Sequence, residues 1–256
     1  MFFMINVPIL SIAGLDPTGG AGILLDIAVC AARGKPCAGA VTGIAVQTHK
    51  KAIFVEPTAP RLFRSMLEAA ISAEPAAIKI GMLANRTIAE IVADTLEKTA
   101  GIPVVLDPVI RSTSGLELLD TDGVAFLRQK LLQKCDIVSP NWDEAAVLTK
   151  IPVNDIKSAA AAGKQIHSDS GVAVIVTGGH ASGEPVDVLV DDYGVIELPS
   201  ERINGDFRGT GCVLSSMIAI ELADGKSLRR AVLSAKELLA ASLAKSRPPY
   251  ITIVNC

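Results

Sequence analysis

Aromatic residues are scarce: Phe, Trp and Tyr make up 4% of 256 residues. Single-stranded nucleic acid needs more stacking surface than that. An excess of positive charge is also missing. The formal net charge is -3, so no global basic field draws in a phosphate backbone. Five cysteines, Cys30, Cys37, Cys135, Cys212 and Cys256, form no CxxC pair and have no histidine at ligand spacing. Structural zinc is therefore not expected, and the odd, scattered set suits a reducing compartment. No apolar run reaches membrane-spanning length. The apolar start, Met1 to Leu15, lacks a basic leading region and an obvious cleavage site, and Gly14, Asp16 and Pro17 interrupt it. A buried first strand is expected there, not a secretion signal. These absences point to a cytoplasmic protein with neither nucleic acid nor membrane as a partner.

What is present is apolar and periodic. Half the residues are apolar and 20% are charged, enough for a sizeable core. Short strand-like runs alternate with helical ones. The apolar run Pro8 to Ala13 ends at Gly14, and Ala21 to Ala32 follows with helical composition until Gly34. Ala38–Val46, Ala77–Ile80, Pro103–Leu106, Asp136–Val138 and Ala173–Val176 read as strands. Helical spacing covers Arg61–Ala73, Thr87–Lys98, Thr121–Leu132, Asp143–Leu148, Asp155–His167, Gly211–Leu222 and Leu228–Ala244. Val186–Val190 and Val195–Leu198 are joined by turn residues and read as a hairpin. Repeated strand–helix units imply a mainly parallel sheet covered on both faces, with the late hairpin as an antiparallel edge. No internal repeat or low-complexity linker divides the chain, so one domain over 1–256 is expected. In such sheets ligands sit beyond the carboxyl ends of the strands.

Four clusters fall at those ends. Gly14 to Gly22 joins the first strand to the first helix, with Asp26 one turn further on. Its small residues allow close backbone approach to a ligand. A tight turn capped by Thr18 is the plainer reading. The segment contains neither the Gly-Lys-Ser/Thr of a Walker loop nor a GxGxxG fingerprint, which disfavours a dehydrogenase. Gly209-Thr210-Gly211-Cys212 opens a helix, where free N–H groups and the helix dipole favour an anion. A thiol in that first turn tends to a lowered pKa, although a small buried cysteine is the alternative. Asp107 follows one strand, and Glu144 lies just beyond the next, so the two acids could hold magnesium. Each could equally be a solvated acid or a helix cap, and Asp143 could serve in place of Glu144. Thr177-Gly178-Gly179-His180 could line a nucleotide or be a plain turn. His49, beside two lysines, and His167, at a helix end, read as surface residues.

In order and spacing these segments resemble the hydroxymethylpyrimidine and phosphomethylpyrimidine kinases of thiamin synthesis, which have the three-layer α/β ribokinase-like fold. The resemblance runs from about Leu10 to about Ala244. It is carried by Ile12 to Ile23, Lys79-Ile80-Gly81-Met82-Leu83, Leu106-Asp107-Pro108-Val109 with Ser114-Gly115, Pro140-Asn141 with Glu144, Gly178-Gly179-His180, Val186 to Leu189, and Gly209 to Cys212. It implies ATP-dependent phosphorylation of a hydroxymethylpyrimidine, and of its monophosphate, with magnesium as cofactor. Gly14, Asp26, Gln47, Met82 and Val109 match the pyrimidine pocket. Gln47 can offer the ring both a donor and an acceptor. Asp107 and Glu144 match the acids near magnesium. Asp107, Asn141, Thr177, Gly179 and Arg208 fall on the nucleotide side. Gly209, Thr210 and Gly211 match the anion hole, and Cys212 matches the base toward the substrate hydroxyl. A homodimer is expected.

The departures from the family pattern concern charge. Thr177 stands where the family often has lysine, and Thr113-Ser114-Gly115 replaces Lys-Ser-Gly. Asn204 to Arg208 is one residue shorter than the usual lead into the hole, and Arg208 could return a cation there. Arg111 is an added cation nearby. Two rivals share the fold: a pyridoxal or pyridoxamine kinase, and a non-catalytic pyrimidine-binding relative.

Overall fold

The computed structural model describes residues 9–48, 51–112, 114–178 and 184–254. Nine strands form one sheet in the order β3-β2-β1-β4-β5-β6-β7-β8-β9. They are β1 (Ile9–Leu15), β2 (Cys37–Gln47), β3 (Ala52–Pro57), β4 (Ala77–Ile80), β5 (Val104–Leu106), β6 (Ile137–Val138), β7 (Ala173–Val176), β8 (Val186–Asp191) and β9 (Gly194–Pro199). The six central strands run parallel from β2 to β7, and an antiparallel hairpin closes each edge.

The late hairpin stands where the turn residues put it. The other edge corrects the expectation: β3 pairs antiparallel with β2 in a stretch to which the periodicity assigns no element. Gly14 does not end the first strand either. It lies inside β1, where the pairing with β2 shifts register between Ala13 and Leu15.

The helices are α1 (Gly22–Ala32), α2 (Pro60–Ile71), α3 (Arg86–Leu96), α4 (Thr121–Phe126), α5 (Trp142–Thr149), α6 (Ile156–Ser170), α7 (Thr210–Ala223) and α8 (Leu228–Ala244). The single helix expected over Thr121–Leu132 instead leaves α-geometry at Leu127, passing through a π-turn and a 3-10 turn to Lys134.

Successive strand residues point to opposite faces, and both faces are covered. Leu10, Ile12, Ile78 and Ile80 join Phe63, Leu67 and Ile88 of α2 and α3 in one core. Ile9, Val105 and Ile175 join Val29, Val213 and Met217 of α1 and α7 in the other. This near-continuous apolar patterning is what a parallel sheet buried on both sides requires. Among the described residues no helix is long and apolar enough to cross a membrane.

Candidate active site

Polar side chains collect where the parallel strands end. Asp107 follows β5, Ser139 follows β6 and Thr177 follows β7, and all three border one cavity of about 510 Å3. Gln47, Val109, Asn141, Glu144 and Cys212 line the same space. A second cavity of about 390 Å3 is lined by Asp187, Arg202, Leu214, Lys236, Leu239 and Leu243. The two share Thr177, Asp206, Phe207, Thr210 and Gly211, so they meet at the mouth of α7.

That mouth is built by glycine. Gly209 caps α7 at φ +74° and offers no side-chain cap. A Cβ there would lie 2.5 Å from the Gly20 carbonyl oxygen and 2.4 Å from Leu25. Gly209 thus wedges the loop against the β1–α1 turn and leaves the first-turn N–H groups uncapped, a ready anion site. Gly211 lies beside Asp107, whose oxygens would be 3.7 and 3.8 Å from a Cβ at that position.

The acids behave differently from each other. Asp107 Oδ2 is buried and has no hydrogen-bond partner among the described residues. Burial pushes the Asp107 carboxyl up, with Lys79 pulling against it. Glu144 closes a capping box: Asn141 N–H donates to Glu144 Oε2 at 2.9 Å, and Glu144 N–H donates to Asn141 Oδ1 at 2.9 Å. The helix-cap reading of Glu144 is therefore realised even though the residue also borders the cavity. Asp143 is exposed and not on the wall. Burial, then the charge of Asp107, raises Glu144 from 4.5 to about 8. Two crowded carboxyls that resist ionisation, one with an orphaned oxygen, are a donor set that fits a hard divalent cation.

The same shift makes stability depend on pH. Both groups bind a proton more tightly folded than unfolded, so the stability this confers is whole below about pH 4. It is lost as pH rises from the ordinary value of 4.5 through about 8. We expect the melting temperature in magnesium-free buffer to fall across that window. Glu144→Gln, which keeps the acceptor for Asn141 N–H, should flatten most of the slope.

Cys212 departs from the expected direction. Its thiol is pushed up to about 12, first by burial and with Lys79 pulling down. The local influence of a helix terminus is outweighed by depth. Asp26 also differs from its expected role. It is 1% exposed and outside the cavity wall, bound by Lys79 Nζ at 2.8 Å and by the hydroxyls of Ser11 at 2.6 Å and Ser216 at 3.0 Å. Gly14 and Met82 likewise lie off the wall, packed against each other, with a Cβ on Gly14 falling 2.3 Å from Met82 Cε. Of the five expected pyrimidine contacts, Gln47 and Val109 line the cavity.

Arg208 faces the larger cavity. Its guanidinium donates to Asp16 Oδ2 at 3.3 Å, to Thr18 Oγ1 at 3.3 Å and to the Thr48 carbonyl at 3.4 Å, and it borders the larger cavity but not the smaller one. Of the residues expected on the nucleotide side, Asn141 lines the larger cavity and Thr177 lines both, while Gly179, with His180, lies outside the described residues, as do Thr113 and His49. His167 is structural: its Nδ1 meets the Val172 carbonyl at 2.8 Å. Sequence reasoning reached the second cavity only at Thr177, Thr210 and Gly211 and missed the rest of its wall as a site, including Lys236, which pairs with Asp187. Its two ends are 49 residues apart, and no local pattern joins them.

Comparison with known proteins agrees with this layout. The family model described as phosphomethylpyrimidine kinase matches residues 16–250. A hydroxymethylpyrimidine/phosphomethylpyrimidine kinase of Aquifex aeolicus is 36% identical over 241 residues, covering 93% of this chain and 94% of its own. The crystal structure of a phosphomethylpyrimidine kinase from Clostridium difficile aligns with a TM-score of 0.81 at 31% identity, over 93% of this chain and 99% of that one. A pyridoxal kinase of Bacillus subtilis, solved with ADP, aligns with a TM-score of 0.86 at 30% identity, over 96% of both chains. The chain belongs to the phosphomethylpyrimidine kinase family, phosphotransferases with the ribokinase-like fold.

Proposed function

We propose that this chain, as one kinase domain, transfers the γ-phosphoryl group of ATP to hydroxymethylpyrimidine and to its monophosphate in thiamin synthesis. One observation carries the reading: two cavities of substrate size meet at an uncapped helix mouth. The smaller, with Leu239 and Leu243 on its wall, takes the nucleotide. The larger takes the pyrimidine, with the Gln47 amide toward the ring nitrogens and Val109 against its face.

Phosphoryl transfer passes through a loose transition state whose charge spreads over the phosphoryl oxygens. The N–H groups of Thr210, Gly211 and Cys212 point dipoles at that charge. Asp107 and Glu144 would hold a magnesium ion, which when bound neutralises phosphate charge as a Lewis acid. Arg208, braced by Asp16, adds a positive field on the acceptor side. Cys212 sits beside the anion hole as a neutral thiol, so it orients the hydroxyl more than it deprotonates it. We expect Cys212→Ser to keep turnover within about tenfold, below the 10²–10⁴ of a working general base, with no new dependence on pH between 7 and 9. A loss of 10³ or more would restore the thiolate as base.

A cytoplasmic homodimer belongs to the same reading, supported by exposed Ile53 and Phe54 on the free edge strand β3. A second acceptor is favoured by a specific likeness, the TM-score of 0.86 to a pyridoxal kinase. A coupled ADP-release assay with hydroxymethylpyrimidine, its phosphate and pyridoxal, with and without magnesium, tests both. Magnesium-dependent release that is fastest with the pyrimidines is expected. Release only with pyridoxal would move the chain to the rival activity, and no release with any acceptor would end the kinase reading.

A further inference from the structure

Directly under the helix mouth lies a charge that the mechanism above does not use. Lys79, on β4, is completely buried. Its Nζ donates to both Asp26 oxygens, at 3.0 and 2.8 Å. Asp26 belongs to α1, and its carboxylate also accepts from Ser11 of β1 and Ser216 of α7. Ser216 is one turn beyond Cys212, so the network touches the helix that carries the anion loop. Gly81 forms its roof: a Cβ there would lie 2.9 Å from Nζ.

A buried ion pair is costly, and a neutral pair of similar shape often stabilises a fold as well or better. Stability alone therefore does not account for a lysine here. Its charge reaches the site: β4 and β5 are parallel neighbours with Lys79 in register with Val105, two residues before Asp107. Lys79 pulls the pKa values of both Cys212 and Asp107 downward against burial. Burial opposes the ammonium most strongly, but the charge and hydrogen bond of Asp26, with Cys212 and Asp107 beside it, together hold the Lys79 pKa above its ordinary value, so the charge is kept.

We propose that Lys79 is a positioning residue for phosphoryl transfer: its ammonium, clamped by Asp26 beneath Cys212 and Asp107, supplies a fixed positive field that favours the travelling phosphoryl group at the mouth of α7. Water cannot screen a group this deep, so the field acts at low effective dielectric. Asp26 only partly cancels it: the carboxylate raises the pKa of Cys212 and of Asp107, but at both groups the opposing influence of Lys79 is the larger. Gly81 matters because any side chain there would push the ammonium away from its place.

This inference rests on the kinase reading, and its test separates the two. The double variant Asp26→Asn/Lys79→Gln replaces the ion pair with a neutral amide pair that keeps donors facing acceptors. Melting temperature, kcat and both KM values are measured for it beside the native chain. Expected are a melting temperature at or above the native value, KM values within threefold, and kcat lower by about 10–100-fold, less than the 10²–10³ of a direct oxyanion donor. A folded double variant with native kcat overturns the proposal, since a merely structural pair would be replaced without loss. Should the double variant not fold, Gly81→Ala decides, because it keeps both charges and crowds Nζ. A fall in kcat of about three- to tenfold at constant KM supports the proposal, and unchanged kcat overturns it. If the native chain itself releases no ADP, the kinase reading has failed and not this step alone.

Discussion

Gly209→Ala should lower kcat by about 10²–10³, the cost of losing one well-aimed donor, and should also destabilise the fold by about 1–3 kcal/mol. Two independent constraints meet at this residue. Its φ of +74° belongs to the left-handed region, which any side chain disfavours. A methyl group would also press on the Gly20 carbonyl oxygen and on Leu25. Neither neighbour can yield freely, because Gly20 belongs to the β1–α1 turn and Leu25 is buried in α1. The loop must therefore shift outward, and the N–H groups of Thr210 and Gly211 shift with it. Steady-state kinetics below the melting temperature separate the two effects. A variant that melts lower but turns over at the native rate would mean that these N–H groups do not touch the phosphoryl group.

Asp107→Asn should move stability and activity in opposite directions. Asp107 is a buried acid whose ionised form is disfavoured by depth, and its Oδ2 finds no partner among the described residues. An amide of the same shape removes a buried charge near Glu144, so the protein without ligands should melt a few degrees higher, as stability–activity trade-offs at such sites commonly run. Glu144 loses the neighbour that helps to raise its pKa and should titrate nearer the ordinary carboxylate range. Yet kcat should fall by about 10²–10³, the typical size of a lost electrostatic contribution, with a higher magnesium requirement. Melting curves and a magnesium titration of the rate check both halves. A variant that is more stable and equally active would remove Asp107 from the transfer site.

Local patterns carried much of the fold and less of the site. Largely apolar runs of four residues, followed by Gly81, Asp107 and Thr177, marked β4, β5 and β7 because a strand buried on both faces has little polar alternation to hide it. Leu228–Ala244 is legible as α8 from its spacing, with the bounds the structure has. The hairpin β2–β3 was not legible. The sequence between Gln47 and Ala52 is Thr-His-Lys-Lys, without the Gly or Asn that announces a tight turn. The break in α4 was equally silent, since Leu127–Lys134 keeps a helical composition while its hydrogen bonds change span.

At the site, motif spacing brought Asp107, Asn141, Glu144, Gln47, Val109, Thr177 and Gly209–Cys212 to one cavity, because each follows a strand end or opens a helix. Depth and direction did not follow from spacing. Asp26 and Lys79 are 53 residues apart in sequence, and only the packed sheet shows that they satisfy each other below the cavity. Arg208 meets Asp16 across 192 residues, so its place on the wall of the larger cavity is a tertiary fact. The direction of the Cys212 thiol was left open for the same reason: the helix terminus is visible in the sequence, but the desolvation that raises the thiol is not.

The central claim concerns where the phosphoryl group passes, and a crystal structure grown with ADP, magnesium, aluminium fluoride and hydroxymethylpyrimidine tests it most directly. The account predicts the fluoride cluster within hydrogen-bond distance of the Thr210, Gly211 and Cys212 N–H groups, with ADP in the cavity bearing Lys236 and the pyrimidine beside Gln47. A cluster seated away from the start of α7, or a nucleotide in the larger cavity, would contradict it.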